Sequence, residues 1–219
     1  RNNIEYVYPF DYSGILAKRT NEYIVVENNG IGYHINCPFE ISVSLGAIGA
    51  EVQVYLYQSV KEDDISLHGF ASDEQKEMFL LLITVSGIGP KVASNICAQI
   101  DPSAFALAIL NKDTNSLTKV KGLGKKSSER IILELTDKLK KSNPQISINP
   151  VNSVSDNSSN TSSMAIIDDA ISALLVLGYR AEDATNVAKS TYDGQMSIEE
   201  LIRACLKRMR WYWGNTCLM

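Results

Sequence analysis

The sequence predicts an α+β chain in three parts: a small β-barrel, an all-helical middle and a short three-helix end. Three observations carry this. The first seventy residues are rich in β-branched and aromatic residues with a period of two. From Ser72 the apolar spacing switches to that of helices, and a Gly-hydrophobic-Gly step occurs twice. A Ser/Asn/Pro/Thr-rich stretch then sets off three further helical segments.

In the first part, Phe10 to Arg19 and Glu22 to Glu27 read as strands. Asn28-Asn29-Gly30 follows, and Asn-Gly before another apolar stretch is the strongest short hairpin signal, so Ile31 to Asn36 is the returning strand. Glu51 to Val60 alternates at Val52, Val54 and Leu56, and a charged turn at Lys61-Glu62-Asp63-Asp64 leads into Ile65 to Phe70. Five short antiparallel strands over residues 10–70 suggest an OB-fold barrel. No element is assigned between Asn36 and Glu51.

The middle, residues 71–141, opens with an N-cap candidate and acids at Ser72-Asp73-Glu74 and runs helical to about Val85. Gly87-Ile88-Gly89-Pro90 stops that helix. Further helices are expected over Lys91 to Ile100, Ser103 to Asn111, Asn115 to Lys119 and, after Gly122-Leu123-Gly124, Lys125 to Lys141. Residues 142–163 hold too few large apolar groups to offset their ordering entropy and read as a flexible linker. The last part, residues 164–209, comprises Ala165 to Leu177, Ala181 to Ser190 and Ser197 to Met209.

Net charge is −4, but its distribution is uneven. Lys112 to Lys141 holds nine basic and four acidic residues, an excess of five positive charges; Phe10 to Phe70 holds three basic and eight acidic, an excess of five negative. A basic middle suits phosphate binding without base readout. The four cysteines form no CxxC pair and have no His at ligand spacing, so a reducing, cytoplasmic compartment is expected and no metal or cofactor. No apolar run reaches membrane-spanning length and no secretory signal is visible.

An internal repeat carries the functional argument. Val85-Ser86-Gly87-Ile88-Gly89-Pro90-Lys91 aligns with Val120-Lys121-Gly122-Leu123-Gly124-Lys125-Lys126. Ala93 then aligns with Ser128 and Ile96 with Ile131. This is a helix-hairpin-helix pattern in duplicate. The glycines allow a tight turn and close backbone approach, and the following helix offers unpaired N–H groups to an anion. The DNA-contacting set is therefore Gly87, Ile88, Gly89, Lys91, Gly122, Leu123, Gly124, Lys125, Lys126 and Arg130, with Ile88 and Leu123 able to plug the core. The run is no P-loop: Lys119 stands where the pattern needs Gly, and Lys126 where it needs Ser or Thr. It is no dinucleotide fingerprint either, since Val92 replaces the third Gly. No nucleophile–base pair is evident, and the adjacent acids Glu62, Asp63 and Asp64 suit a two-metal site poorly. The competing readings are a tandem-hairpin nuclease and a protein adaptor.

With Asn28-Asn29-Gly30-Ile31-Gly32-Tyr33, Lys61-Glu62-Asp63, His68-Gly69-Phe70, both hairpins, Arg130 to Leu135 and Ala173 to Tyr179, the sequence resembles the RuvA family over roughly Phe10 to Met209. The resemblance implies a non-catalytic subunit that binds four-way (Holliday) junctions in recombination, repair and the SOS response to DNA damage. It implies a homotetramer or a pair of tetramers, an OB-fold core, and a mobile C-terminal domain with a ubiquitin-associated-type fold. It also implies the RuvB ATPase as motor, with the RuvC resolvase as a further partner. It makes Glu62 and Asp63 an acidic pin at the crossover. It puts Leu174, Leu177, Tyr179 and Leu206 on the motor-binding face, with Leu177 and Tyr179 expected to be partly exposed. Asp64 is an extra acid and His68 stands where the family often has Tyr. Residues 1–9 and 210–219 are assigned nothing.

Overall fold

The computed structural model describes residues 10–142 and 159–216. The chain divides into two compact units, 1–76 and 77–219. In the first, strands β1 (Phe10–Arg19), β2 (Tyr23–Asn28), β3 (Ile31–Asn36), β4 (Glu51–Val60) and β5 (Ile65–Phe70) close into a barrel of order β1-β2-β3-β5-β4, with β4 pairing back on β1. All pairings are antiparallel except β3 with β5. This is the five-stranded OB topology, and closing the sheet leaves no edge open along β1.

The β2–β3 hairpin turns at Asn29 and Gly30, with φ of 52° and 82°, as the Asn-Gly signal predicts. Inward residues Leu16, Ile24, Val26, Ile35, Val54 and Phe70 are wholly buried and form the barrel core. The Tyr12 and Tyr33 rings pack tilted at 57° with centroids 4.5 Å apart. Burial first, and then the neighbouring Tyr33 hydroxyl, pushes the Tyr12 hydroxyl up to about 12.

A helix absent from the sequence reading, α1 (Phe39–Leu45), fills the β3–β4 connection. Its residues Phe39, Ile41, Val43 and Leu45 alternate as a strand would. Tertiary contacts decide the outcome. Pro38 stands at its N-cap with φ −57°, Ile41 is buried in the barrel core, and the Arg19 guanidinium donates to the Ser42 and Gly46 carbonyls at its C-terminal end.

Helix α2 (Asp73–Ile83) leads into the second unit, which holds α3 (Pro90–Gln99), α4 (Pro102–Leu110), α5 (Thr114–Thr118), α6 (Lys125–Ser142), α7 (Ser159–Val176), α8 (Ala181–Thr191) and α9 (Ile198–Thr216). Asp101 caps α4 by accepting the Ser103 N–H at 2.9 Å, and Asp113 caps α5 by accepting from Asn115 and Ser116. Those bonds, chiefly the two with Ser116, hold the Asp113 carboxyl below its usual range. Phe79, Phe105, Ile109, Leu117 and Ile131 are fully buried around α4. Helices α7 to α9 pack on one another, and α7 also lies against α4 and α6.

Two boundaries differ from the sequence reading. Helix α7 begins at Ser159, inside the stretch that the composition predicts as linker, because a helix carried by the apolar residues from Ala165 onward tolerates polar residues in its first turn. Helix α9 continues past Met209 to Thr216. Most of the expected linker, residues 143–158, lies outside the described residues, as do residues 1–9 and Cys217.

Candidate functional site

The two hairpins have one backbone geometry. In each, the residue before the turn bonds back to the preceding helix: Val85 N–H to Leu82 carbonyl at 3.0 Å, and Val120 N–H to Leu117 carbonyl at 3.1 Å. The turn closes when Ile88 donates to Val85 and Leu123 donates to Val120, both at 3.0 Å. Its third residue is Gly87 or Gly122, at φ 81° and 88°. A turn with a positive φ at that place favours glycine on steric grounds alone.

The second glycines differ in kind. Gly89 has φ −86° and ψ 170°, which any residue adopts, and Gly124 also lies outside the left-handed region. A Cβ on either would meet nothing within 4 Å. Nothing among the described residues therefore calls for glycine at these two positions. Both act as N-caps: the Gly89 carbonyl accepts from Ala93 and the Gly124 carbonyl from Ser128, each at 3.0 Å. Being glycines, they put no side chain over the first turns of α3 and α6. Those helix ends carry the positive end of the peptide dipoles.

Around these ends the sequence-nominated residues separate into two groups. Gly87, Gly89, Lys91, Gly122, Gly124, Lys125, Lys126 and Arg130 are exposed. Ile88 and Leu123 are not: both side chains are buried, plugging the core beneath each turn. They can face a ligand only through their backbone. Lys125 sits 4.0 Å from Glu129 with both side chains largely exposed, a pairing worth at most about 0.5 kcal/mol. Arg130 reaches back to the first hairpin, where its Nη1 donates to the Ser86 carbonyl at 3.2 Å. The cation assigned to the second hairpin thus also braces the first.

In the barrel unit, the acidic turn is a tight connection in which the Lys61 N–H donates to the Asp64 carbonyl at 2.8 Å. Glu62, Asp63 and Asp64 are all exposed, so the third acid stands beside the other two. Below the turn the cross-strand pair Val60 and Ile65 is also exposed, each at 68%. His68, further along β5, is buried near Tyr57. Burial first, then the nearby Lys61, pushes its pKa down, partly opposed by Asp64.

At the C-terminal end the exposure expected for Leu177 is not found. Leu174, Leu177 and Leu206 are 0%, 2% and 4% exposed and belong to the apolar core of α7 to α9. Helix α7 is buried from Ala173 to Val176, and Leu177 after it is buried too, so the residues before Gly178 pack rather than present themselves. Only Tyr179 is half-buried. Cys37, Cys97 and Cys205 are buried thiols pushed up by burial. Among the described residues no three His, Cys, Asp or Glu side chains gather as a metal site, and no single helix is long and apolar enough to cross a membrane.

Comparison with known proteins agrees with this architecture part by part. Residues 11–69 match the RuvA N-terminal domain, 79–137 a SAM-like helix-hairpin-helix tandem, and 165–210 the RuvA C-terminal domain. A relative from Acetivibrio thermocellus is 42% identical over 194 residues, covering 89% of this chain and 95% of its own. One from Ruminiclostridium cellulolyticum is 39% identical, covering 90% and 97%. One from Lachnospira eligens is 38% identical, covering 90% and 96%. Each is named Holliday junction branch migration complex subunit RuvA. With the closed five-stranded barrel, the duplicated hairpins and the C-terminal helices in the same order, the chain belongs to the RuvA family.

Proposed function

We propose that the chain binds four-way DNA junctions without reading their sequence and seats the RuvB ATPase for branch migration. The observation that carries this is the pair of second glycines. Gly89 and Gly124 are required neither by backbone conformation nor by packing, yet each leaves an uncovered helix N-terminus. A phosphate accounts for both features at once. It approaches the backbone where a Cβ would stand and accepts the helix's first N–H groups. Lys91, Lys125 and Lys126 add charge beside the same phosphates, and such contacts position a duplex without specifying bases.

Four subunits would present eight hairpins to four arms. The barrel domain would form the centre, with Glu62, Asp63 and Asp64 of each copy near the crossover. Carboxylates beside phosphates repel them, which favours an open junction over a stacked one. The chain itself carries the grip; the ATP-driven step belongs to RuvB, recruited through the C-terminal helices with Tyr179 at the contact. The domains would be 10–70, 71–141 and the C-terminal helices, with the stretch between α6 and α7 as tether.

The test is binding to a four-way junction against a linear duplex of the same arm sequence, at two salt concentrations with Mg²⁺ present. A strong junction preference without cut product is expected. Equal binding to both DNAs reduces the protein to a generic duplex binder. Cleavage that follows the protein through purification makes it a nuclease.

A further inference from the structure

The two hairpins are tied to each other by residues that the repeat itself relates. The Ser86 backbone N–H donates to the Glu134 carboxylate, Oε2, at 3.1 Å. The Lys121 backbone N–H donates to the Gln99 side-chain oxygen, Oε1, at 2.8 Å. The repeat offset is 120 − 85 = 35 positions; 86 + 35 gives 121, and 99 + 35 gives 134. The two bonds are therefore images of one another. Each turn is held from the helix that follows the other turn: Gln99 is the last residue of α3, and Glu134 lies midway along α6.

The anchored group is the same in both cases, the N–H of the residue just before the first glycine. The turn's own closing bonds, from Ile88 to Val85 and from Leu123 to Val120, leave that N–H unused. It stands one residue from the backbone offered to phosphate. The first hairpin has extra support from α6: Arg130 donates to the Ser86 carbonyl, and Lys138 donates to the Thr84 carbonyl at 3.3 Å. These side chains lie outside the apolar core and add little to net stability by themselves. Their shared effect is geometric, since two bonds in opposite directions restrict how the turns can shift or tilt against each other. A ligand that must touch both turns at once gains from that restriction, because the ordering is done before it arrives.

We propose that Gln99 and Glu134 are positioning residues, a reciprocal brace that sets the spacing of the two hairpins so that one duplex arm engages both together. This rests on the DNA-binding reading given above. The charge on Glu134 makes the idea separable from simple electrostatics. A carboxylate beside a phosphate site is unfavourable in itself, so on charge alone every neutral substitution tightens binding. A brace distinguishes between neutral substitutions. Glu134→Gln keeps an acceptor oxygen, and Glu134→Ala removes it.

The experiment uses the full chain, a four-way junction as ligand, and amide hydrogen exchange resolved at Ser86 and Lys121. Glu134→Gln binds the junction at least as tightly as wild type. Glu134→Ala and Gln99→Ala each bind about fivefold more weakly, the scale of one net hydrogen bond. In the free protein, exchange at Ser86 speeds up in Glu134→Ala and exchange at Lys121 speeds up in Gln99→Ala. A denaturation midpoint close to wild type shows that the fold has survived. The inference is overturned if Glu134→Ala binds as tightly as Glu134→Gln, or if neither amide changes its exchange. A wild-type chain that binds no DNA sinks the functional reading and this inference with it. Wild-type binding with indifferent alanine variants sinks the brace alone.

Discussion

Replacing the glycines of each hairpin by alanine, one position at a time, separates what the fold needs from what the ligand needs. At Gly87 and Gly122, φ is 81° and 88°, where a Cβ costs about 1–2 kcal/mol per residue. At Gly87 the added Cβ also comes within 3.2 Å of the Arg130 guanidinium. The double variant Gly87→Ala/Gly122→Ala should therefore lose about 2–4 kcal/mol of stability if the two sites act independently. Gly89 and Gly124 have no positive φ, and a Cβ on either meets nothing within 4 Å. Alanine there gains about 0.4–1 kcal/mol by restricting the unfolded chain, and loses a similar amount because it is a poorer N-cap. Gly89→Ala/Gly124→Ala should thus stay within about 1 kcal/mol of wild type in urea denaturation. Its junction affinity should nevertheless fall. A charge-assisted hydrogen bond is worth about 1.5–3 kcal/mol, so displacing one phosphate contact per hairpin weakens binding roughly 10- to 100-fold each. The assay is a titration of labelled junction beside the urea curve. Wild-type affinity at wild-type stability would refute the argument that the open space at the second glycines is where phosphate lies.

Four further outcomes follow from the same geometry. Lys125→Glu/Lys126→Glu should fold normally, because Lys125 has only an exposed 4.0 Å partner, and its salt dependence of DNA binding should be shallower by about 2 in log–log slope; an unchanged slope removes both lysines from the interface. Leu177→Ala should cost about 2–5 kcal/mol as a core truncation, whereas Tyr179→Ala should remain folded and lose RuvB binding in a pull-down; unchanged motor binding by folded Tyr179→Ala excludes that residue. Burial, with Lys61, lowers the His68 pKa from 6.5 while Asp64 partly opposes it, so the folded state binds this proton less readily than the unfolded state. Its stabilising contribution is then present above about pH 6.5 and is lost as pH falls through the folded value, so His68→Tyr should flatten the denaturation midpoint across that window. Neutralising the acidic turn as Glu62→Gln/Asp63→Asn/Asp64→Asn should tighten junction binding most at low salt and reduce fluorescence of an unstacked base analogue at the crossover; brighter fluorescence contradicts an opening role.

The barrel was legible because each strand carried its own signal. Val52, Val54 and Leu56 alternate inward, and Asn29-Gly30 supplies the turn between β2 and β3. Helix α1 was not legible, since its residues alternate like a strand and the groups that settle it as a helix, Arg19 above all, come from elsewhere in the chain. Leu177 failed for a related reason. An apolar residue beside a Gly-Tyr step has the same local sequence whether it packs or faces outward, and here the helices around it bury it. Arg130 was placed by sequence at the second hairpin, but only the fold brings its guanidinium to the first.

Glycine, lysine and small-residue positions made the repeat visible because their chemistry is unusual at a helix junction. Gln99 and Glu134 fall in the same register, yet they leave no such mark. A Gln at the end of one helix and a Glu in the middle of another read as solvated surface, and the two residues are not even identical; in the structure Glu134 is half-buried. What they share is a side-chain oxygen at the same distance along the chain from a turn. A duplicated unit keeps that equivalence as long as each copy supplies an acceptor, whatever its charge. At these two positions the equivalence of the hairpin pair therefore lies in the hydrogen bond rather than in the residue. For that reason the neutral acceptor Glu134→Gln, rather than any change of charge, is the substitution that the pair should tolerate.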